Sequence, residues 1–184
     1  MKRTLTILTL ALAAAFAASA ERFAATNGSL VRIEGTSTLH AWSMEGSTIQ
    51  GQITVADAPN AVVTIPVTSI KSEHAKMDKL MAEALKAKTN PEIRFELTGA
   101  TPVKPSGETF NVKTQGRLTI AGVTRDVTLD VKGARNANGG YTLTGEAPIK
   151  MSAFGITPPT AMLNTIKTGD DVKVTFRWVV QPTK

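Results

Sequence analysis

Long runs in which every second residue is apolar dominate this chain, and they commit it to amphipathic β-strands. In "FNVKTQGRLTI" Phe110, Val112, Leu118 and Ile120 share one face, while Asn111, Lys113, Gln115, Arg117 and Thr119 share the other. Past a turn at Ala121-Gly122, "VTRDVTLDVKG" continues with Val123, Val127, Leu129 and Val131 against Thr124, Asp126, Thr128 and Asp130. Successive side chains of a strand point to opposite faces, so the two runs predict a long antiparallel hairpin with one wet face. The same period recurs at Val63/Ile65/Val67, Ile93/Phe95/Leu97, Tyr141/Leu143/Ala147/Ile149 and Val172/Val174/Phe176/Trp178/Val180. Turn residues at Asp57 to Asn60, Pro102 to Gly107, Asn136 to Gly140 and Gly169-Asp170 separate the runs. So many one-faced strands either stack as two sheets or close as a barrel, and closure alone removes the exposed edges.

One segment breaks the period. "SEHAKMDKLMAEALKAKTNP" sets Met77, Leu80, Met81, Ala84 and Leu85 at helical spacing, with Lys76, Lys79, Glu83 and Lys86 opposite. Ser72 as N-cap, Lys86 and Lys88 near the negative end, and Asn90-Pro91 as a stop predict a helix of about four turns. Inside an all-β chain, such a helix reads as a lid packed on the end of the barrel. A membrane-surface helix is the alternative, and the position of both tryptophans elsewhere weighs against it.

The first 20 residues, "MKRTLTILTLALAAAFAASA", carry a basic start at Lys2-Arg3, an apolar run from Leu5 to Ala17 and small residues at Ala18-Ser19-Ala20. That is the pattern of a cleaved secretory leader, and the run is short for a membrane span of about 20 apolar residues. The expected mature chain is one domain, residues 21–184, in the periplasm or secreted. The sequence has no cysteine, so its stability rests on its core. Loss of Lys2 and Arg3 lowers the formal charge from +6 to +4. The basic residues are scattered without aromatic stacking partners, which argues against nucleic acid. Transient contact with an anionic membrane surface is the most that this charge supports.

For catalysis the chain offers little. Two histidines, His40 and His74, and no cysteine make a poor metal set. There is no nucleophile elbow, no phosphate-cradling loop and no nucleotide fingerprint. Asp126 and Asp130 share a strand face but stand roughly 13 Å apart, as solvated surface carboxylates do. Neither an enzyme nor a metal or cofactor is expected. Strand parity places His40 with Thr38, Trp42 and Met44. This fits the wall of a ligand cavity, and it fits a satisfied core histidine slightly better.

Four stretches, "GTSTLHAW" (35–42), "IPVTSIKSEHAKMDKLMAEALKAKTNPEIRFELTGA" (65–100), "GRLTIAGVTRDVTLDV" (116–131) and "KMSAFGITPPTAMLNTIKTGDDVKVTF" (150–176), together resemble the YceI-like polyisoprenoid-binding family. The likeness runs in order through nearly all of the mature chain. It departs at Ala41, where many relatives carry an acid between the His and the Trp. The resemblance implies a lipocalin-like antiparallel β-barrel of about eight strands with one inserted amphipathic helix. It also implies an apolar tunnel holding a polyisoprenoid, an isoprenoid quinone or another long-chain lipid. The expected ligand-lining residues are His40, Trp42, Met77, Met81, Leu85, Phe95, Leu118, Ile120, Leu129 and Phe154. The competing expectation is a ligand-free structural or stress-response envelope protein with a packed barrel. An enzyme using His40 as base is the third, and no partner acid is identifiable for it.

Overall fold

The structure, a computed structural model, describes residues 20–56, 58–101, 108–163 and 165–183. The predicted leader, apart from Ala20, and the predicted turn from Pro102 to Gly107 lie outside the described residues. Eight strands form a closed antiparallel ring: β1 (Glu21–Ala25), β4 (Gln50–Val55), β5 (Asn60–Pro66), β7 (Glu92–Ala100), β8 (Thr109–Ile120), β9 (Val123–Arg135), β10 (Tyr141–Lys150) and β12 (Ile166–Pro182). The ring shuts because β1 pairs with both β4 and β12. Closure leaves no long exposed edge, which answers the choice between sandwich and barrel.

Three further strands lengthen the barrel at one end. β2 (Leu30–Ser37) pairs with β12, β3 (Ala41–Gly46) with β2, and β6 (Ile70–Lys71) with β3. Each of the first three staves is therefore broken in the middle, as β1/β2, β3/β4 and β5/β6. The break between β1 and β2 turns on Gly28, whose φ of 92° suits glycine. Its exposed backbone groups are repaired by Ser29. The Ser29 hydroxyl accepts the Val179 N–H at 3.0 Å and donates to the Thr26 carbonyl at 3.1 Å. The break between β5 and β6 is a 3-10 turn over Val67–Ser69, so Val67 packs in a turn rather than extending the strand that its spacing predicts. β12 is the longest strand, and its 17 residues, with a register irregularity between Thr168 and Val172, span roughly 56 Å.

The hairpin of β8 and β9 forms as the alternation requires. A two-residue turn at Ala121-Gly122, with φ of 51° and 84°, joins Ile120 to Val123. The helix is shorter than expected: α1 (Ala75–Ala84) has 10 residues. Its N-cap is His74 rather than Ser72. Ser72 acts from outside the helix, where its hydroxyl accepts the His74 N–H at 3.1 Å and donates to Asp78 Oδ1 at 2.8 Å. At the other end Lys86 turns left-handed, φ 53°, which ends the helix well before Asn90-Pro91. A small strand, β11 (Thr160–Ala161), folds back on the start of β12.

Candidate functional site

Inward-facing residues from every stave and from α1 enclose one elongated cavity of about 1020 Å³. That lies at the upper end of the roughly 300–1,000 Å³ usual for small-molecule sites. Polar lining residues gather at the two ends: Ser37, His40, His74, Lys76, Thr160 and Thr168 on the side of α1, and Thr101, Glu108 and Arg135 on the other. Between them the wall is Val, Ile, Leu, Met, Ala and aromatic. Thr114 interrupts it, and its hydroxyl is turned to the Leu129 carbonyl at 3.2 Å. The arrangement is an apolar tunnel with two polar mouths.

The structure brings nine of the ten expected residues into this wall: His40, Trp42, Met77, Met81, Leu85, Phe95, Leu118, Ile120 and Leu129. Phe154 is not among the lining residues. It sits 3% exposed in a 3-10 turn, Met151–Phe154, that packs against β9, β10 and β12. The pairing of β9 with β10 covers only Tyr141 to Gly145, so the two strands part above that point and this turn fills the seam. Gly155, at φ 64°, folds Phe154 back into it, and Arg125 Nε–H ties the turn to β9 through the Ala153 carbonyl at 2.9 Å.

His40 is exposed at the mouth, just before β3, so the core-histidine reading does not hold. Its Nδ1 lies 2.7 Å from the Ala41 carbonyl, which makes Nδ1 the donor of that bond. The ring beside it is fixed too: the Trp42 indole N–H donates to the Thr36 carbonyl at 3.0 Å. Among the described residues, no three His, Cys, Asp or Glu side chains gather to hold a metal ion.

One device escaped the reading of periodicity. Four inward glycines lie beneath aromatic rings of a neighbouring strand: Gly35 under Trp42, Gly116 under Phe95, Gly133 under Phe110 and Gly145 under Phe176. At each, a side-chain carbon would collide with the ring; at Gly145 it would stand 2.7 Å from Phe176. The rings therefore lie down along the wall instead of projecting across the bore. The signal was present as glycine at strand positions whose parity points inward, where close approach is the usual reason for it.

The helix α1 roofs one mouth. Met77, Leu80, Met81, Ala84 and Leu85 face the tunnel, yet no residue from Ala75 to Ala84 is buried. Asp78 anchors its first turn. Its carboxylate accepts the Ser72 N–H at 2.7 Å as well as the hydroxyl, and these bonds hold it below the usual aspartate value, aided by Lys71 and His74. Asp170 does the same for the seam turn through the Ser152 hydroxyl and N–H, and is likewise lowered. Below the polar rim of the opposite mouth the staves are locked by packing: Phe23 meets Tyr141 edge-on at 5.2 Å, Phe110 meets Tyr141 at 5.9 Å, and Val180 is fully buried.

Comparison with known proteins places this architecture. A family model described as a YceI-like domain matches residues 15–180. A UPF0312 protein of Serratia proteamaculans is 42% identical over 102 residues, covering 52% of this chain and 50% of that protein. A UPF0312 protein of Pseudomonas aeruginosa is 34% identical over 106 residues, 54% of this chain and 53% of its own length. The matches thus span about half the length of these curated relatives. Among solved structures, Burkholderia cenocepacia BcnA superposes with a TM-score of 0.64 at 25% identity, covering 82% of this chain and 95% of its own. A polyisoprenoid binding domain from Saccharophagus degradans, implicated in plant cell wall breakdown, superposes with a TM-score of 0.69 over 90% of this chain and all of its own. At 14% identity it speaks for the fold.

Proposed function

The chain belongs to the YceI-like domain family, and from that premise we propose that its tunnel holds one long amphiphilic lipid, a polyisoprenoid or an isoprenoid quinone. The observation that carries this is the predominantly apolar bore of about 1020 Å³ between two polar mouths. A long flexible hydrocarbon fills such a space, whereas a compact solute leaves most of it empty. The polyisoprenoid binding named for the Saccharophagus degradans neighbour supports the same ligand class. Burial contributes up to about 0.8 kcal/mol per CH₂-equivalent, less the cost of ordering the chain, so tight retention needs little headgroup recognition. The role is carriage or storage rather than turnover. The leader-like segment 1–20 supports a periplasmic or secreted setting.

The competing reading, a packed ligand-free barrel, has the cavity against it. The deciding experiment is native mass spectrometry on protein purified from its own envelope, with intact-mass analysis of the same sample. The expected result is a chain beginning at Glu21 that carries one extractable lipid. After delipidation the melting temperature should fall and recover when an isoprenoid quinone is added, by RT ln(1 + [L]/Kd). A protein that carries no lipid and shows no shift with any long isoprenoid would leave the packed barrel in its place.

A further inference from the structure

Of the four large apolar side chains exposed among the described residues, three stand at the α1 end: Leu39 at 67%, Met162 at 65% and Leu163 at 102% exposure. They crown two neighbouring loops, the turn between β2 and β3 and the tip of the hairpin between β11 and β12. The loops are stitched together by Thr38: its N–H donates to the Lys167 carbonyl at 2.9 Å, its hydroxyl donates to the Thr165 carbonyl at 3.3 Å, and the Lys167 N–H donates to that hydroxyl at 3.1 Å. Met162 and Leu163 both hold left-handed φ, 52° and 55°, a conformation that large side chains seldom adopt. The tip is thus a braced structure that keeps apolar groups in water at a free-energy cost.

Two observations say what covers it. Met162 is both an exposed tip residue and a lining residue of the tunnel, so the apolar tip is continuous with the tunnel mouth. The charge beside it is basic. Residues 36–41 and 151–168 contain Lys167 and no Asp or Glu. Around the same end, Lys76, Lys86, Lys88, Arg125 and Lys167 make no ion pair among the described residues, against Glu73, Glu92, Asp126 and Asp170, the last of which is held by the Ser152 hydroxyl and N–H.

We propose that this end docks on an anionic bilayer surface, with Leu39, Met162 and Leu163 inserted among the headgroups, and that the lipid enters past Met162 without crossing water. The proposal rests on the lipid-binding reading above and adds the surface through which it operates. Partial burial of two or three such side chains, with attraction of a few lysines to anionic lipid, gives reversible rather than permanent attachment.

Because the chain has no cysteine, Leu163→Cys accepts a single environment-sensitive fluorophore. Mixed with vesicles of phosphatidylglycerol and phosphatidylcholine, it should brighten and shift to the blue, less so with phosphatidylcholine alone and less as salt is raised. The unlabelled chain should float with the mixed vesicles, and the double variant Leu39→Asp/Leu163→Asp should float at least about tenfold less. Neither leucine lines the tunnel, so uptake of a detergent-solubilised isoprenoid quinone should be unchanged in the double variant while uptake from vesicles slows. Failure of the wild type to float, flotation of the variant equal to wild type, or a tip-dependent dimer in solution would each overturn the docking proposal. Failure of detergent-borne uptake in both proteins would instead strike the lipid-binding reading, and flotation would still report on docking.

Discussion

The two ends of the barrel are held together by different means. At the end where β1 pairs with β12, the staves around the mouth are locked by core packing: Phe23, Trp178 and Val180 are 2%, 6% and 0% exposed, and Tyr141 sits edge-on between Phe23 and Phe110. At the other end closure comes from α1, a helix with no buried residue, held at its start by Ser72 and Asp78. The first end belongs to the folding core, so it cannot rearrange without loss of the barrel. The second presents a flexible Met face to the cavity and can move at little cost to the ring.

The largest expected contrast comes from one substitution at each end. Phe23→Ala should destabilise the barrel by about 3–5 kcal/mol with or without lipid, as core truncations of this size do. Met81→Glu should barely alter the melting temperature of the delipidated protein, because the half-buried side chain can turn to water. In the loaded protein it sets a charge against hydrocarbon, so occupancy should collapse and the lipid-dependent gain in stability should vanish. Thermal melts of both variants before and after delipidation, with extracted lipid per protein, make the measurement. Equal loss of stability by Met81→Glu in both states would mean that α1 is ordinary core and that the contrast between the ends is false.

A smaller effect sharpens the comparison inside the bore. Gly133→Ala would force Phe110 off the wall near the packed end, an overpacking worth about 1–3 kcal/mol. The ring would shorten the tunnel there, so the longest isoprenoids should lose affinity first while short ones bind as before. Affinities across a chain-length series test this, and a uniform loss at all lengths would assign the glycine to stability alone.

That pair also marks how far the sequence could be read. A two-residue turn at Ala121-Gly122 pairs Ile120 with Val123, and counting outward along the hairpin pairs Phe110 with Gly133. The contact was legible once turn and parity were combined. Phe176 over Gly145 was not, because β10 and β12 are separated by the seam turn and β11, and their register is set by the closed ring. Parity gave the inward faces of β8, β9 and β12 because one face of each is wet. It set His40 with Trp42 and Met44, and all three line the bore; what parity could not tell is that His40 stands exposed in the turn before β3 rather than in the core. The broken staves were equally hidden: nothing local marks Ser29 as the group that repairs a break by bonding Val179, 150 residues away. Phe154 went astray for a related reason, since Gly155 reverses the chain and carries the ring behind the wall.

The smallest expected effect is on pH: Glu96 and Glu146, lowered chiefly by hydrogen bonds from Arg94 and Lys173, lie on ring strands already held by backbone pairing, so the response to look for is at the lid end. Asp78 and Asp170 are each held below the usual aspartate value of 3.8, Asp78 chiefly by the Ser72 N–H and Asp170 chiefly by the Ser152 hydroxyl. A carboxyl whose folded pKa is depressed binds its proton more readily in the unfolded chain. Its contribution is therefore complete above 3.8 and is lost as pH falls through the lowered folded value. Both carboxylates serve the lid end, one at the start of α1 and one at the seam turn. Acid should thus loosen the lid before the ring, with a modest effect because both groups are solvent-screened. Hydrogen exchange followed by mass spectrometry is the measurement. On lowering the pH from about 5 to below the ordinary aspartate range, and after correction for the intrinsic pH dependence of exchange, protection should fall across residues 72–85 and 151–156 while β1 and the end of β12 keep theirs. Asp78→Asn cannot offer the charged acceptor, so residues 72–85 should already be less protected at the higher pH and should change little on acidification. Simultaneous loss at both ends, or first loss at β1, would show that the acid response is global and that the lid has no anchor of its own.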